Sequence, residues 1–216
     1  METRSNPTLR ALRDLVLLAG AGLAAASIWA AGLPNEQGFL VDAQTWQDEV
    51  VSAAQGDWPK DGWFRIVPRE RSVEVQRTTP ADRTLVSADA LFLRLPGAAL
   101  KPGVRPGYRY PTVLAQPKMG RDYELSLGAT RFSVRVEESA KGMAYTIGYG
   151  GQTYDYVLGP FDALTTSVRF VADLDGDGRP DFLVDVDDAS YLLLSTRAKP
   201  GANLPAAELF ASEGGC

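Results

Sequence analysis

The sequence predicts a mainly β protein: an antiparallel sandwich or a curled, partly closed sheet, with an N-terminal hydrophobic helix and one short helix. Three observations predict this. From Trp63 onward apolar residues recur with period two, the spacing that turns one face of a strand toward a core. Turn formers punctuate that pattern, with 21 Gly and 14 Pro in 216 residues. Two stretches fold on paper into hairpins, each with its apolar residues on a single face, as a sheet packed on one side requires.

Residues 1–33 come first and read as a signal peptide or N-terminal membrane anchor. Arg4, Arg10 and Arg13 precede Leu15–Leu33, a run without a single charge. At about 1.5 Å per residue the run makes about 28 Å of helix, near the thickness of a bilayer core, which points to an anchor. Its Ala and Gly content, with Ala24-Ala25-Ala26 as an A-x-A pattern, points to a cleaved signal. Either way the Arg-rich end stays in the cytoplasm and the rest is expected on the exported side, periplasmic or at the cell envelope. The membrane is thus an expected partner through this segment.

Residues 34–62 read as a linker and a short helix. Asp42 is placed to cap a helix over Ala43–Ala54, with Trp46, Val50 and Ala53 on one face and Gly56 and Pro59 ending it. Residues 63–216 form the antiparallel β domain. Strands are expected at Phe64–Val67, Ser72–Arg77, Ala90–Leu95, Val168–Ala172, Phe182–Val186 and Tyr191–Ser195, besides the two hairpins. In the first hairpin, pairing Leu127 with Phe132, Leu125 with Val134 and Tyr123 with Val136 puts six apolar residues together. In the second, Gly150-Gly151 is a two-residue turn, because glycine tolerates positive φ at both central positions. That turn pairs Ile147 with Tyr154, Tyr145 with Tyr156 and Met143 with Leu158. Leu95–Pro117, with five prolines, reads as a long crossover loop.

Composition limits the chemistry. There is no His and one Cys, Cys216, at the end of the chain. No imidazole base, His-ligated metal, internal disulfide or Cys-rich zinc site can be built from that set. Beyond Ala26, with Arg4, Arg10, Arg13, Glu2 and Asp14 set aside, 19 basic residues face 25 acidic ones. A balance of that sign excludes nucleic acid as the expected partner. Metal chemistry is left to oxygen ligands.

Residues 173–181 concentrate such ligands: Asp173, Asp175 and Asp177 alternate, Gly178 follows, and Asp181 stands at the start of the next strand. Alternate residues of a tight loop can turn their oxygens inward around a hard cation, and the Arg179 carbonyl falls at the next alternate position. Oxygen-only ligands select Ca²⁺ ahead of Mg²⁺ or Mn²⁺. The end of the loop is not that of an EF-hand, since Val184 occupies the place of the bidentate Glu, Pro180 interrupts it and both flanks are strand-like. The segment from Phe170-Val171-Ala172-Asp173 through Asp181-Phe182-Leu183-Val184 instead resembles the calcium loop of FG-GAP/VCBS-type, integrin-like repeats. The resemblance implies Asp173, Asp175, Asp177 and Asp181 as side-chain ligands and Arg179 as a carbonyl ligand. It extends over about Val168–Ser195 in a single copy, so it implies the loop and not a propeller. Asp185 and Asp187 read as the solvated face opposite Phe182, Val184 and Val186.

The leading expectation is an exported or membrane-anchored calcium-binding β-domain with a binding or structural role at the cell envelope. An envelope polysaccharide-active enzyme with paired carboxylates is a second class. A third is a module that binds envelope glycan or protein through Leu95–Pro117, where Tyr108 and Tyr110 alternate with Arg105 and Arg109. Tyr145, Tyr154 and Tyr156 share the apolar hairpin face and read as core. Cys216 could join another chain through a disulfide or be inert.

Overall fold

The larger sheet has to curl because its inward side chains are almost all apolar. The structure, a computed structural model, describes residues 39–52, 58–82, 87–95, 100–109, 111–160 and 163–208. Strands β1 (Phe39–Asp42), β2 (Trp63–Pro68), β3 (Ser72–Thr78), β4 (Leu91–Arg94), β5 (Gly103–Arg109), β10 (Thr166–Ala172), β11 (Asp181–Val186), β12 (Ala189–Leu193) and β14 (Ala207–Glu208) form one sheet. Its order is β1-β4-β2-β3-β5-β10-β11-β12-β14, antiparallel at every pairing. β1 and β14, the two ends of that order, come into contact, so the sheet is nearly closed. Leu40, Ile66, Val75, Leu93, Phe170 and Leu183 fill its interior.

The second sheet holds β6 (Asp122–Leu127), β7 (Thr130–Ser139), β8 (Gly142–Tyr149), β9 (Gln152–Leu158) and β13 (Gly201–Asn203), in the order β13-β9-β8-β7-β6. Only its β13–β9 pair is parallel. Its apolar face packs on the outside of β10–β12, where Val134, Tyr145 and Ile147 share a core with Val171, Phe182, Val184 and Tyr191. β11 is therefore covered on both sides. Phe182, Val184 and Val186 meet the second sheet, while Leu183 points into the nearly closed one. A bulge at Arg169 in β10 resets the alternation, leaving Val168 and Val171 outward and Phe170 and Ala172 inward.

The second hairpin has the expected register at all its pairs, and Gly150 and Gly151 both take positive φ, 58° and 74°. The first is corrected by two residues: Leu127 pairs with Thr130, Leu125 with Phe132 and Tyr123 with Val134. Gly128, at φ 58°, makes a two-residue turn with Ala129, tighter than the four-residue connection the apolar pairing suggested. A shift of two preserves the faces, so the same residues still meet the core.

Asp42 caps the short helix as expected, its Oδ1 accepting the Thr45 N–H at 2.7 Å. Among the described residues of the expected helix, Ala43–Thr45 (α1) is α-helical, and Trp46–Val51 continues as a π-helix. Trp46 stacks on Phe92 with centroids 4.0 Å apart and meets Trp63 edge-on. Ala53 and Gly56 lie outside the described residues, as do Leu15–Leu33, Tyr110 and Cys216.

Two stretches read as irregular are strands. β1 lies in the expected linker, where four residues are too few to display a period. β5 lies in the expected crossover loop. Pro106 argues against a strand there because it has no N–H, but its carbonyl accepts the Asp173 N–H at 3.2 Å, which seats β5 at the mouth of the acidic loop.

Candidate metal centre

β10 ends at Ala172 and β11 begins at Asp181, so the acidic segment is the connection between two neighbouring strands. Its carboxylates shape it. Asp175 Oδ1 accepts the Asp177 N–H at 3.1 Å, and Asp177 Oδ1 accepts the Arg179 N–H at 2.8 Å. These two successive side-chain turns wind the chain so that alternate residues converge. Gly178 has φ 79° and open space where a Cβ would stand, so conformation alone demands glycine there.

Asp173, Asp175 and Asp177 each offer a carboxylate oxygen, and these oxygens lie within 4.8 Å of one another. Two oxygens that share one calcium ion at about 2.4 Å are at most about 4.8 Å apart, so the group has the compass of one such ion. Asp173 is 8% exposed and Asp175 6%. Asp173 Oδ1 and Asp175 Oδ2 are buried without a hydrogen-bond partner. Burial pushes the Asp175 carboxyl above its ordinary range against the hydrogen bond from Thr196, and the charges of Asp177 and Asp173 push the same way. Buried carboxylate oxygens left unpaired beside like charges are costly, and a cation removes both costs.

Asp181, expected to close the ligand shell, also holds the loop's backbone. It is fully buried, with Oδ2 accepting the Leu174 N–H at 2.8 Å and Oδ1 the Ser195 N–H at 2.7 Å. It is not one of the three whose oxygens lie within 4.8 Å of one another, and it ties the loop to the chain just beyond β12. Burial, with the charge of Asp175, pushes its carboxyl well above the usual range, while its hydrogen bonds from Ser195 and Leu174 act in the opposite direction. Arg179 sits on the exposed side, its Nε 3.8 Å from Asp177 Oδ2.

Four residues that the sequence did not single out surround the loop, together with Arg105, which the sequence placed in a separate glycan- or protein-binding stretch. Ser195 Oγ donates to Asp177 Oδ2 at 3.1 Å and Thr196 donates to Asp175. Thr130 Oγ1, in β7, donates to the Gly178 carbonyl at 2.6 Å. Lys101 Nζ donates to the Gly176 carbonyl at 3.2 Å, with Arg105 beside it. Registering β11 against β12, with Phe182 opposite Leu193, would have found Ser195. Nothing in the local pattern marks the others, which arrive from distant segments.

The remaining candidates have structural uses. Asp185 shares the Leu183 side of β11, pairing with Arg169 at 3.2 Å and accepting from Ser190, so that face is not solvated as expected. Asp187 Oδ1 accepts the N–H groups of Leu164 and Thr165. Tyr145, Tyr154 and Tyr156 are buried. Tyr108 is 41% exposed and lines an open cleft with Glu70, Arg71, Pro106 and Arg109, where Arg109 pairs with Asp89 at 2.5 Å. No family model, curated protein or solved structure matches the chain.

Proposed function

We propose that the chain is a calcium-binding β-domain protein, exported or membrane-anchored, in which the ion braces the β10–β11 connection for a binding or structural role at the cell envelope. One observation carries the reading: Asp173 and Asp175, whose Oδ1 and Oδ2 respectively are buried acceptors without a donor, each offer a carboxylate oxygen within 4.8 Å of one another and of one from Asp177. Asp173, Asp175 and Asp177 would hold the ion. The likeness of the segment to the FG-GAP/VCBS-type loop supports the Arg179 carbonyl as a further ligand, while Asp181 positions the loop from its far end. An ion bound to the folded chain and not to the unfolded one stabilises the fold, which suits an exported domain without disulfides. Export rests on the charge-free run Leu15–Leu33 after three arginines. Among the described residues no helix is long and apolar enough to cross a membrane.

Titration of the full-length protein with calcium in a calorimeter tests this, with melting curves in chelator and in millimolar calcium. Binding heat and a higher melting temperature in calcium are expected. An absence of both removes the reading. The exposed Tyr108 in its cleft with Arg71 and Arg109 favours a second reading, a module that takes an anionic glycan or protein segment there.

A further inference from the structure

Two cationic side chains from a distant segment rest on the acidic loop. Lys101 Nζ donates to the Gly176 carbonyl at 3.2 Å. The Arg105 guanidinium lies alongside: a Cβ built on Gly176 would stand 3.1 Å from Arg105 Cζ and Nη1 and 3.1 Å from Lys101 Cδ. Arg105 Nη2 donates to the Lys101 carbonyl at 3.4 Å. Gly176 stands between Asp175 and Asp177, so the ammonium is seated on the backbone of the carboxylate group itself and the guanidinium lies beside it. Among the described residues neither of them forms an ion pair with a carboxylate. Main-chain carbonyls hold them.

That mode of attachment matters. A lysine paired with a ligand carboxylate would be displaced when a metal arrived. A lysine held by a carbonyl stays, and then acts on the site in two opposite ways. Before the ion binds, it offsets the mutual repulsion of Asp173, Asp175 and Asp177. After the ion binds, the same charge repels it, and a divalent ion feels twice the repulsion of a monovalent one.

We propose that Lys101 and Arg105 set the calcium affinity of this loop, weakening it while steadying the ion-free fold. The proposal rests on the calcium reading of the loop. It makes the Gly103–Arg109 strand and its approach part of the site, although that segment contributes no ligand.

Calorimetric titration of the full-length protein with calcium tests it, comparing wild type, Lys101→Gln, Lys101→Arg and Arg105→Gln in a dilute buffer. Lys101 is exposed, so its replacement leaves the core untouched. Lys101→Gln should bind calcium about five- to tenfold more tightly, the effect of one nearby charge on a divalent ion in a largely aqueous surrounding. Lys101→Arg should match wild type, and Arg105→Gln should also bind more tightly. In chelator Lys101→Gln should melt below wild type. Adding salt should shrink the affinity difference, which a purely steric role would not produce. A Lys101→Gln protein that folds and binds calcium no more tightly than wild type overturns the proposal alone. A wild type that binds no calcium overturns both this proposal and the reading of the loop.

Discussion

Gly150 and Gly151 join β8 to β9, whereas residues 173–180 join β10 to β11, although both pairs are antiparallel neighbours. In the first, Tyr149 pairs directly with Gln152, and neither glycine has anything within 4 Å of where a Cβ would stand. The second is tied down by Pro106, Thr130, Ser195 and Lys101, and still leaves two buried carboxylate oxygens unpartnered. Reversing a chain requires none of that. The turn between β8 and β9 is complete in itself, while the acidic connection is assembled from several parts of the molecule and, on the reading proposed above, would be completed by a cation. A loop that is both braced and electrostatically unsatisfied is built for something other than turning.

Asp181→Ala breaks that contrast hardest. It leaves the Leu174 and Ser195 amides buried without an acceptor, at about 1–3 kcal/mol each. A loss of about 3 kcal/mol in urea denaturation is expected, with calcium stabilisation reduced as well. A loop that served only as a turn would tolerate the change far better.

Next in size is pH. Asp175 and Asp181 are both raised by burial, so the folded protein holds their protons to higher pH than the unfolded chain. Their effect on stability is therefore fully favourable at and below the ordinary carboxylate value and is lost as pH rises through the folded values. In chelator, a step from about pH 7 to about pH 5 should raise the melting temperature. In millimolar calcium the same step should lower it, because protons and calcium compete for one group of oxygens. Glu74 and Asp187 are lowered by their hydrogen bonds, from Arg69 and Thr165 respectively, so their contributions fail only at more acid pH and leave that window clear. A melting temperature that moves the same way in both buffers would end the argument.

Glycine substitutions sharpen the contrast. Gly151→Ala and Gly178→Ala each force alanine to a left-handed φ and should cost about 1–2 kcal/mol in urea denaturation. Only Gly178→Ala should also weaken calcium binding, read by the same titration. Equal calcium affinity in both variants would make the acidic connection an ordinary turn.

What the sequence revealed divides along the same line. The β8–β9 hairpin was legible to the residue because two adjacent glycines fix both the turn length and the register. The β6–β7 register was not, since Gly128-Ala129-Thr130-Arg131 allows a short or a long turn and the apolar residues keep their faces under a shift of two. β5 was hidden by its prolines and β1 by its brevity. In the loop, Asp173, Asp175 and Asp177 were legible from their spacing, because local alternation decides where their oxygens point. The role of Asp181 was not, for it depends on Ser195, fourteen residues further along the chain. Lys101 and Arg105 were read as part of a separate loop. Their place against Gly176 exists only because β5 pairs with β10, a contact no local pattern encodes.

The smallest effect asks whether the two sheets feel the ion. Thr130, two residues after Gly128 at the β6–β7 turn, donates its hydroxyl to the Gly178 carbonyl at 2.6 Å. Thr130→Val keeps the branched shape and the strand preference and removes the donor. Gly178 is exposed, so water can replace the lost bond, and the cost in chelator should be about 0.5–1 kcal/mol. Calcium should make it smaller still. With the ion holding Asp173, Asp175 and Asp177 together, the loop no longer depends on the second sheet to keep its form, so part of what Thr130 supplies becomes redundant. Urea denaturation of wild type and Thr130→Val, each with chelator and with calcium, measures that redundancy as the difference of two differences. A value of zero would mean that the ion and the second sheet act on the loop independently. A positive one would place the β6–β7 turn, which contributes no ligand, within reach of the metal.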